Sequence, residues 1–180
     1  LWWWSRPPSL RPVAPPSRPP RGSDPASPSR CPWPGNGAEA AAPPRGREIW
    51  CEKTGPGGTP VKHGPAAQWF DNGQRDSAGS YRDGKLHGRW SEWYDNGQKR
   101  AEVRYRLGLK HGPEQEWHRN GKLKAKRSWR RGKLHGPETT WYENGNKRVA
   151  GSYKDGHRTG RWSEWHQDGQ RRLEATYDDR

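Results

Sequence analysis

"HGRWSEWYDNGQ" occupies His87–Gln98, and "TGRWSEWHQDGQ" occupies Thr159–Gln170, 72 residues further along. Nearly the same dozen residues written twice makes repetition the first question, because a missed repeat misreads the whole fold. Working outward from these copies, three series of glycines share one period. Gly64, Gly88, Gly112, Gly136 and Gly160 are each 24 apart, as are Gly73, Gly97, Gly121, Gly145 and Gly169, and Gly84, Gly108, Gly132 and Gly156. Aromatics follow the same period: Trp69, Trp93, Trp117, Trp141 and Trp165 form one column, and Tyr81, Tyr105, Trp129, Tyr153 and Tyr177 form another. The chain therefore holds five repeats of 24 residues.

Within each repeat an Asn-Gly or Asp-Gly step divides two extended stretches. That is a hairpin signal, read here as a turn in which both residues accept positive φ. The second stretch alternates, with Ala101, Val103 and Tyr105 pointing one way and Arg100, Glu102 and Arg104 the other. A second turn, such as Arg82–Gly88, leads to the next hairpin. The expected fold is all-β: an elongated, single-layer antiparallel meander of five β-hairpin repeats. Ten or eleven strands give a ribbon roughly 50 Å long and about 20 to 25 Å wide, too narrow for a conventional core. Register stays open between two options. A two-residue loop at Asn96-Gly97 sets Tyr94 on the side of Tyr105, whereas an extra residue or bulge brings Trp93 there. In either case rings are expected to meet from hairpin to hairpin, with Ser77, Gly79, Ala101 and Gly151 making room.

Composition fits an aromatic ribbon better than an aliphatic core. Leu, Ile, Val and Phe number only 14 in 180 residues, while Trp numbers 13 and Tyr 6. Residues 1–45 are rich in Pro, Arg and Ser without hydrophobic period and read as a disordered leader. Residues 46–61 read as an irregular capping strand and loop, and 62–180 as the repeat domain. No apolar run is long enough to span a bilayer as a helix. The chain contains no Met, so it is read as starting after its natural start, with room for a signal or lipid anchor before it. Cys31 and Cys51 permit one disulfide and lean toward an oxidising compartment such as the cell envelope, with cytoplasm the alternative and two unrelated thiols an equal reading.

The pattern G-x-W-x-E-W-Y-x-N-G-Q-K-R, an aromatic, then D-G-K-x-H-G resembles the membrane occupation and recognition nexus (MORN) repeat, in the bacterial variant often labelled an antitoxin. The resemblance covers about Lys62 to Tyr177. It implies an elongated antiparallel sheet of hairpins and a scaffolding or binding role, with an antitoxin-type function as one form of it. Ala66, Glu114 and Glu138 depart from the pattern where Trp90 and Trp162 fill the slot, and Thr159 replaces the usual His.

Chemistry on the repeats reads as structural. His63, His87, His111 and His135 recur beside glycines, but equivalent atoms two strands apart lie about 9.6 Å from each other. Two ligands about 2 Å from one zinc must be closer. Glu92, Glu116 and Glu164 suit cross-strand pairing with Arg100, Arg148 and Arg172. Ser91 and Ser163 lack a nucleophile elbow, and no phosphate loop is present. No catalytic, metal or cofactor residue is assigned, and an enzyme is disfavoured. The net charge of +14 suits an acidic protein, anionic lipid or nucleic acid, or serves solubility. The lack of an RNA-binding aromatic motif speaks against nucleic acid. The expectation is a noncatalytic scaffold binding a partner protein through Trp90, Trp93, Tyr94, Trp117, Trp141, Tyr142, Trp162, Trp165, Arg100, Arg148 and Arg172. The alternatives are anionic membrane lipid through the basic residues and glycan or cell wall through exposed Trp; oligomeric state stays open.

Overall fold

The computed structural model describes residues 29–30 and 48–178. They form one open antiparallel sheet of fourteen strands. In chain order these are β1 (Ser29–Arg30), β2 (Glu48–Thr54), β3 (Pro60–Trp69), β4 (Arg75–Arg82), β5 (Lys85–Leu86), β6 (Gly88–Trp93) and β7 (Lys99–Arg106). Then come β8 (Leu109–Trp117), β9 (Leu123–Arg130), β10 (Lys133–Leu134), β11 (Gly136–Trp141), β12 (Lys147–Lys154), β13 (His157–Trp165) and β14 (Arg171–Tyr177). Spatial order follows chain order, with β5 and β10 pairing against β4 and β9 beside β6 and β11. The meander expected from the repeats is therefore present, with hairpins β3–β4, β6–β7, β8–β9, β11–β12 and β13–β14.

The expected disordered leader, residues 1–45, lies outside the described residues except for Ser29–Arg30. That pair forms β1 against β2. Cys51 is buried and disulfide-bonded; Cys31 lies outside the described residues. The expected capping segment contains β2, a 3-10 turn at Pro56–Gly58 and the first residues of β3.

The two kinds of turn exchange the roles expected of them. At the Asn-Gly step the Tyr94 amide donates to the Gln98 carbonyl at 2.8 Å, and the Gly97 amide to the Tyr94 carbonyl at 2.9 Å. These bonds enclose a three-residue loop in which Gly97 has φ +81° while Asn96 does not enter the positive region. The same bonds recur in every hairpin. Two-residue turns with both φ positive sit instead at Asp83-Gly84, Leu107-Gly108, Arg131-Gly132 and Asp155-Gly156, the type I′ geometry that matches strand twist.

Register resolves the open choice. Glu92 pairs with Ala101, but Trp93 pairs with Lys99, so Arg100 is the extra residue of a β-bulge. The corresponding shift appears at Trp69, Trp117, Trp141 and Trp165. The extra loop residue and the bulge offset each other, so Trp93 is not brought to the side of Tyr105, as a bulge alone was expected to do. Paired residues share a face, which gives the sheet two unlike sides. The core face carries Trp90, Glu92, Ala101, Val103 and Tyr105; the Trp face carries Trp69, Trp93, Trp117, Trp141 and Trp165. Of the ten buried residues among those described, seven lie on the core face: Ala66, Ser77, Val103, Glu114, Ala125, Glu138 and Trp162.

Candidate binding surface

One core-face column decides how each unit is filled: Ala66, Trp90, Glu114, Glu138 and Trp162. A Trp there needs a glycine under it. Trp90 lies over Gly79 and Trp162 over Gly151, and a β-carbon at either glycine would meet the ring within 2.1 to 2.2 Å. Trp162 also meets Tyr153 and Tyr177 edge-on, with ring centroids 5.0 and 6.2 Å apart, and Trp90 meets Tyr81 at 5.8 Å. Among the described residues these are the ring-to-ring contacts, so the continuous stack expected along the ribbon is interrupted. The reason is chemical: Glu114 and Glu138 fill the central slots, where carboxylates recruit cations instead of rings.

Arg127 is the centre of that replacement. Its Nε donates to Glu138 at 2.7 Å and its Nη1 to Glu116 at 2.5 Å, with Glu114 at 3.5 Å. Glu114, 3% exposed, also accepts from Lys110 Nζ at 2.5 Å and Trp129 Nε1 at 2.8 Å. Burial works to lower the Arg127 pKa, and the bonds from Glu138 and Glu116 outweigh it, so the guanidinium is held charged. Lys110 lies over the Trp129 ring at 4.7 Å, which ties the charge network to the aromatic column.

Hydrogen bonds also join each unit to the next along both edges. Asn72, Asn120 and Asn144 donate to the carbonyls of Asp95, Glu143 and Gln167, at 2.7 to 2.9 Å. Each also accepts from an amide of its own loop at 3.0 Å. The hydroxyls of Tyr94 and Tyr142 donate to the carbonyls of Trp117 and Trp165 at 2.9 Å, and Nε2 of His118 lies 3.0 Å from the Trp141 carbonyl. On the other edge the amides of Gly84, Gly108, Gly132 and Gly156 donate into the preceding unit at 2.8 to 2.9 Å. These links fix unit-to-unit geometry, which is what a repeated binding surface requires.

The residues singled out from sequence divide between the faces. Trp93, Trp117, Trp141 and Trp165 share the Trp face and are each partly exposed. Arg75 lies over the Trp93 ring at 5.7 Å and Lys99 over the Trp117 ring at 5.6 Å. Arg100 and Arg172 are core-face partners of Glu92 and Glu164, at 2.9 and 3.9 Å. Arg148, opposite no such Glu because Thr140 holds that position, lies over the Tyr142 ring at 5.9 Å. Trp90 and Trp162 pack within the core face, and Trp162 is 2% exposed. The aromatic and basic columns thus do not make one surface.

Histidine is tied to the turns. Nδ1 of His63 and His135 accepts from the amides of Asp83 and Asp155 at 3.3 Å. Among the described residues no group of three or more His, Cys, Asp or Glu is placed to hold a metal ion. A core-face groove of about 380 Å³ over Ala101 and Val103 is lined by Glu92, Arg100, Lys110, Glu114, Glu116 and Lys124 among others. Its carboxylates are all paired internally. Sequence reasoning missed Arg127, Lys110 and Glu138 as a group, because their meeting depends on register. The visible signal was the pair of Glu residues standing in a Trp slot.

The family model described as the MORN repeat variant matches residues 86–106, 110–130, 134–155 and 158–179. These intervals correspond to successive repeats of the ribbon, while the geometrically similar hairpin β3–β4 precedes the first match. No curated protein matches the chain. Residues 86–179 are a tandem run of four MORN repeats of the variant type, within an all-β hairpin ribbon.

Proposed function

We propose that the protein is a noncatalytic scaffold that binds a partner protein across the Trp face. The observation that carries this reading is the column Trp93, Trp117, Trp141 and Trp165, one partly exposed ring per unit at one register position. Equivalent rings two strands apart repeat at about 10 Å. Tryptophan anchors are the residues that dominate protein interfaces. A stiff ribbon holds them at fixed spacing and so adds many modest contacts without ordering cost. An antitoxin-type role, in which the bound partner is a toxin, is one form of the same reading.

The test is capture from the source cell with the full chain and with a W117A/W141A variant. A discrete protein recovered by the first and lost by the second supports the scaffold. Equal recovery, or none across repeated captures, overturns it. Soluble glycans that quench Trp fluorescence in the wild type and not in the variant would assign the same column to carbohydrate instead.

A further inference from the structure

The type I′ turns line one long edge of the ribbon, and the three-residue loops line the other. Residues 82–85, 106–109, 130–133 and 154–157 carry seven Lys or Arg against two Asp. Residues 71–74, 95–98, 119–122, 143–146 and 167–170 carry two cations against four carboxylates. The two edges therefore differ in sign.

On the cationic edge Leu107 and Leu109 are 50% and 51% exposed, and with Arg106, His111 and Arg131 they line a groove of about 360 Å³. Leu107 holds φ +52°, a conformation that favours glycine, Asn or Asp and penalises a bulky side chain. Asp83 and Asp155 occupy the equivalent turn position. Neither backbone preference nor burial accounts for leucine at 107. His87 adds a second irregularity: of its equivalents, His63 and His135 accept from the turn amides of Asp83 and Asp155, whereas His87, which stands in the same place before Leu107, keeps its Nδ1 buried without a partner. Among the described residues Arg106 and Arg131 form no ion pair, leaving two cations beside an apolar groove.

We propose that this patch docks a short acidic segment of a partner protein, with one or two large apolar side chains entering the groove and carboxylates meeting Arg106 and Arg131. This rests on the scaffold reading and names where a partner segment attaches. The local character of the patch favours a peptide over a membrane. Neighbouring turns are about 10 Å apart, and the turns flanking Leu107 present Asp83 and Arg131 at the position that leucine fills here. A lipid surface would draw on every turn of the edge, whereas the exposed leucines of this edge stand at one turn, 107–109, and a peptide need only cover that unit.

A phage-displayed library of random dodecapeptides is selected on the full chain, with an L107N/L109T chain as counter-selection. The expected enriched sequences combine Asp or Glu with Leu, Ile, Phe or Trp. A synthetic winner should bind roughly ten-fold more weakly to L107N/L109T and to R106E/R131E, with affinity falling as salt rises, while both variants keep the wild-type circular dichroism. No enrichment over counter-selection, a consensus without acidic residues, or binding that ignores both variants overturns the inference. Flotation with phosphatidylserine vesicles that is lost in L107N/L109T, without peptide binding, also overturns it by assigning the patch to lipid. If the peptides fail while capture through Trp117 and Trp141 persists, only this inference falls; loss of both removes the scaffold reading as well.

Discussion

The β-carbon that Gly151 lacks would lie 2.2 Å from Cδ2 of Trp162 and 2.3 Å from its Cε2. The ring cannot yield, since it is wedged edge-on between Tyr153 and Tyr177 and its Nε1 donates to the Ser152 carbonyl at 3.2 Å. G151A is therefore expected to cost about 1 to 3 kcal/mol through overpacking. Urea melts should show the loss, and W162L should cost less in the G151A background than in the wild type. A G151A chain that melts like the wild type would show that the ring has room.

Arg127 serves the central units as Trp162 serves the last. R127M leaves Glu138 and Glu114 nearly buried without their guanidinium and is expected to lose about 3 to 5 kcal/mol. R127K keeps the charge but not the fork and should fall between. R127M/E138Q should recover part of the loss, because one stranded charge goes with it. Additive effects of the two substitutions would mean that the residues are not coupled.

Period and composition made the ribbon legible, because five copies of one glycine pattern leave little choice of architecture. What stayed hidden depended on which carbonyl or carboxylate a side chain meets across strands. Asn96-Gly97 reads equally as a two-residue turn or as a three-residue loop, and the Asn side chain accepting the Gln98 amide at 3.1 Å belongs to the second. The bulge that follows offsets the extra loop residue, so Trp93 ends on the face away from Tyr105, as it would after a two-residue loop without a bulge. Glu114 and Glu138 were visible as departures, yet apart from Lys110, which is near Glu114 in the chain, their partners lie 11 to 15 residues away. Only register brings them together. Leu107 gave no local sign of positive φ, and only its place before Gly108 in the 24-residue series connects it with Asp83 and Asp155.

Acid should weaken the Trp face through Glu102. Lys99 donates to that carboxylate at 2.7 Å, and this bond, assisted by the charges of Lys99, Arg89 and Arg104, holds the pKa below the ordinary value despite partial burial. A depressed carboxylate stabilises the fold above its unfolded pKa, about 4.3, and the contribution fades as pH falls through the folded value. The K99M stability curve should run below the wild type above about pH 5, and the gap should narrow toward pH 3. The pH-dependent part should stay under about 1 kcal/mol, because the pair is partly solvated. A constant gap at every pH would trace the loss to the Lys99 contact with the Trp117 ring instead.

Leu107 sits in the left-handed region with its side chain half in solvent, so replacing it removes strain at little cost in packing. L107N is expected to raise stability by about 1 kcal/mol. D155L, the reverse change at the equivalent turn, should lower it, the more so because Asp155 pairs with Arg130 at 3.0 Å. Thermal melts of the two variants decide the matter. An L107N chain less stable than the wild type would mean that Leu107 is held by contacts within the ribbon.

A ribbon that grows by units should survive losing one, but the central slots decide which join is sound. Deleting residues 109–132 places Lys133 after Gly108 and brings Glu138 opposite Val103. In the intact chain Glu138 draws on Arg127, while Glu114 opposite Val103 draws on Lys110 and Trp129. The deletion removes all three, and its own unit offers Leu134 and Tyr153 at the positions of Lys110 and Trp129. The shortened chain should keep the far-ultraviolet signature of the sheet, because each unit contacts only its neighbours, yet melt well below the full chain. Adding V103R to the deletion restores an arginine beside Glu138 and should recover much of the loss, whereas V103L should not. A deletion that melts like the full chain, or a V103R that brings no recovery, would show that buried charge pairing does not set which units can be neighbours.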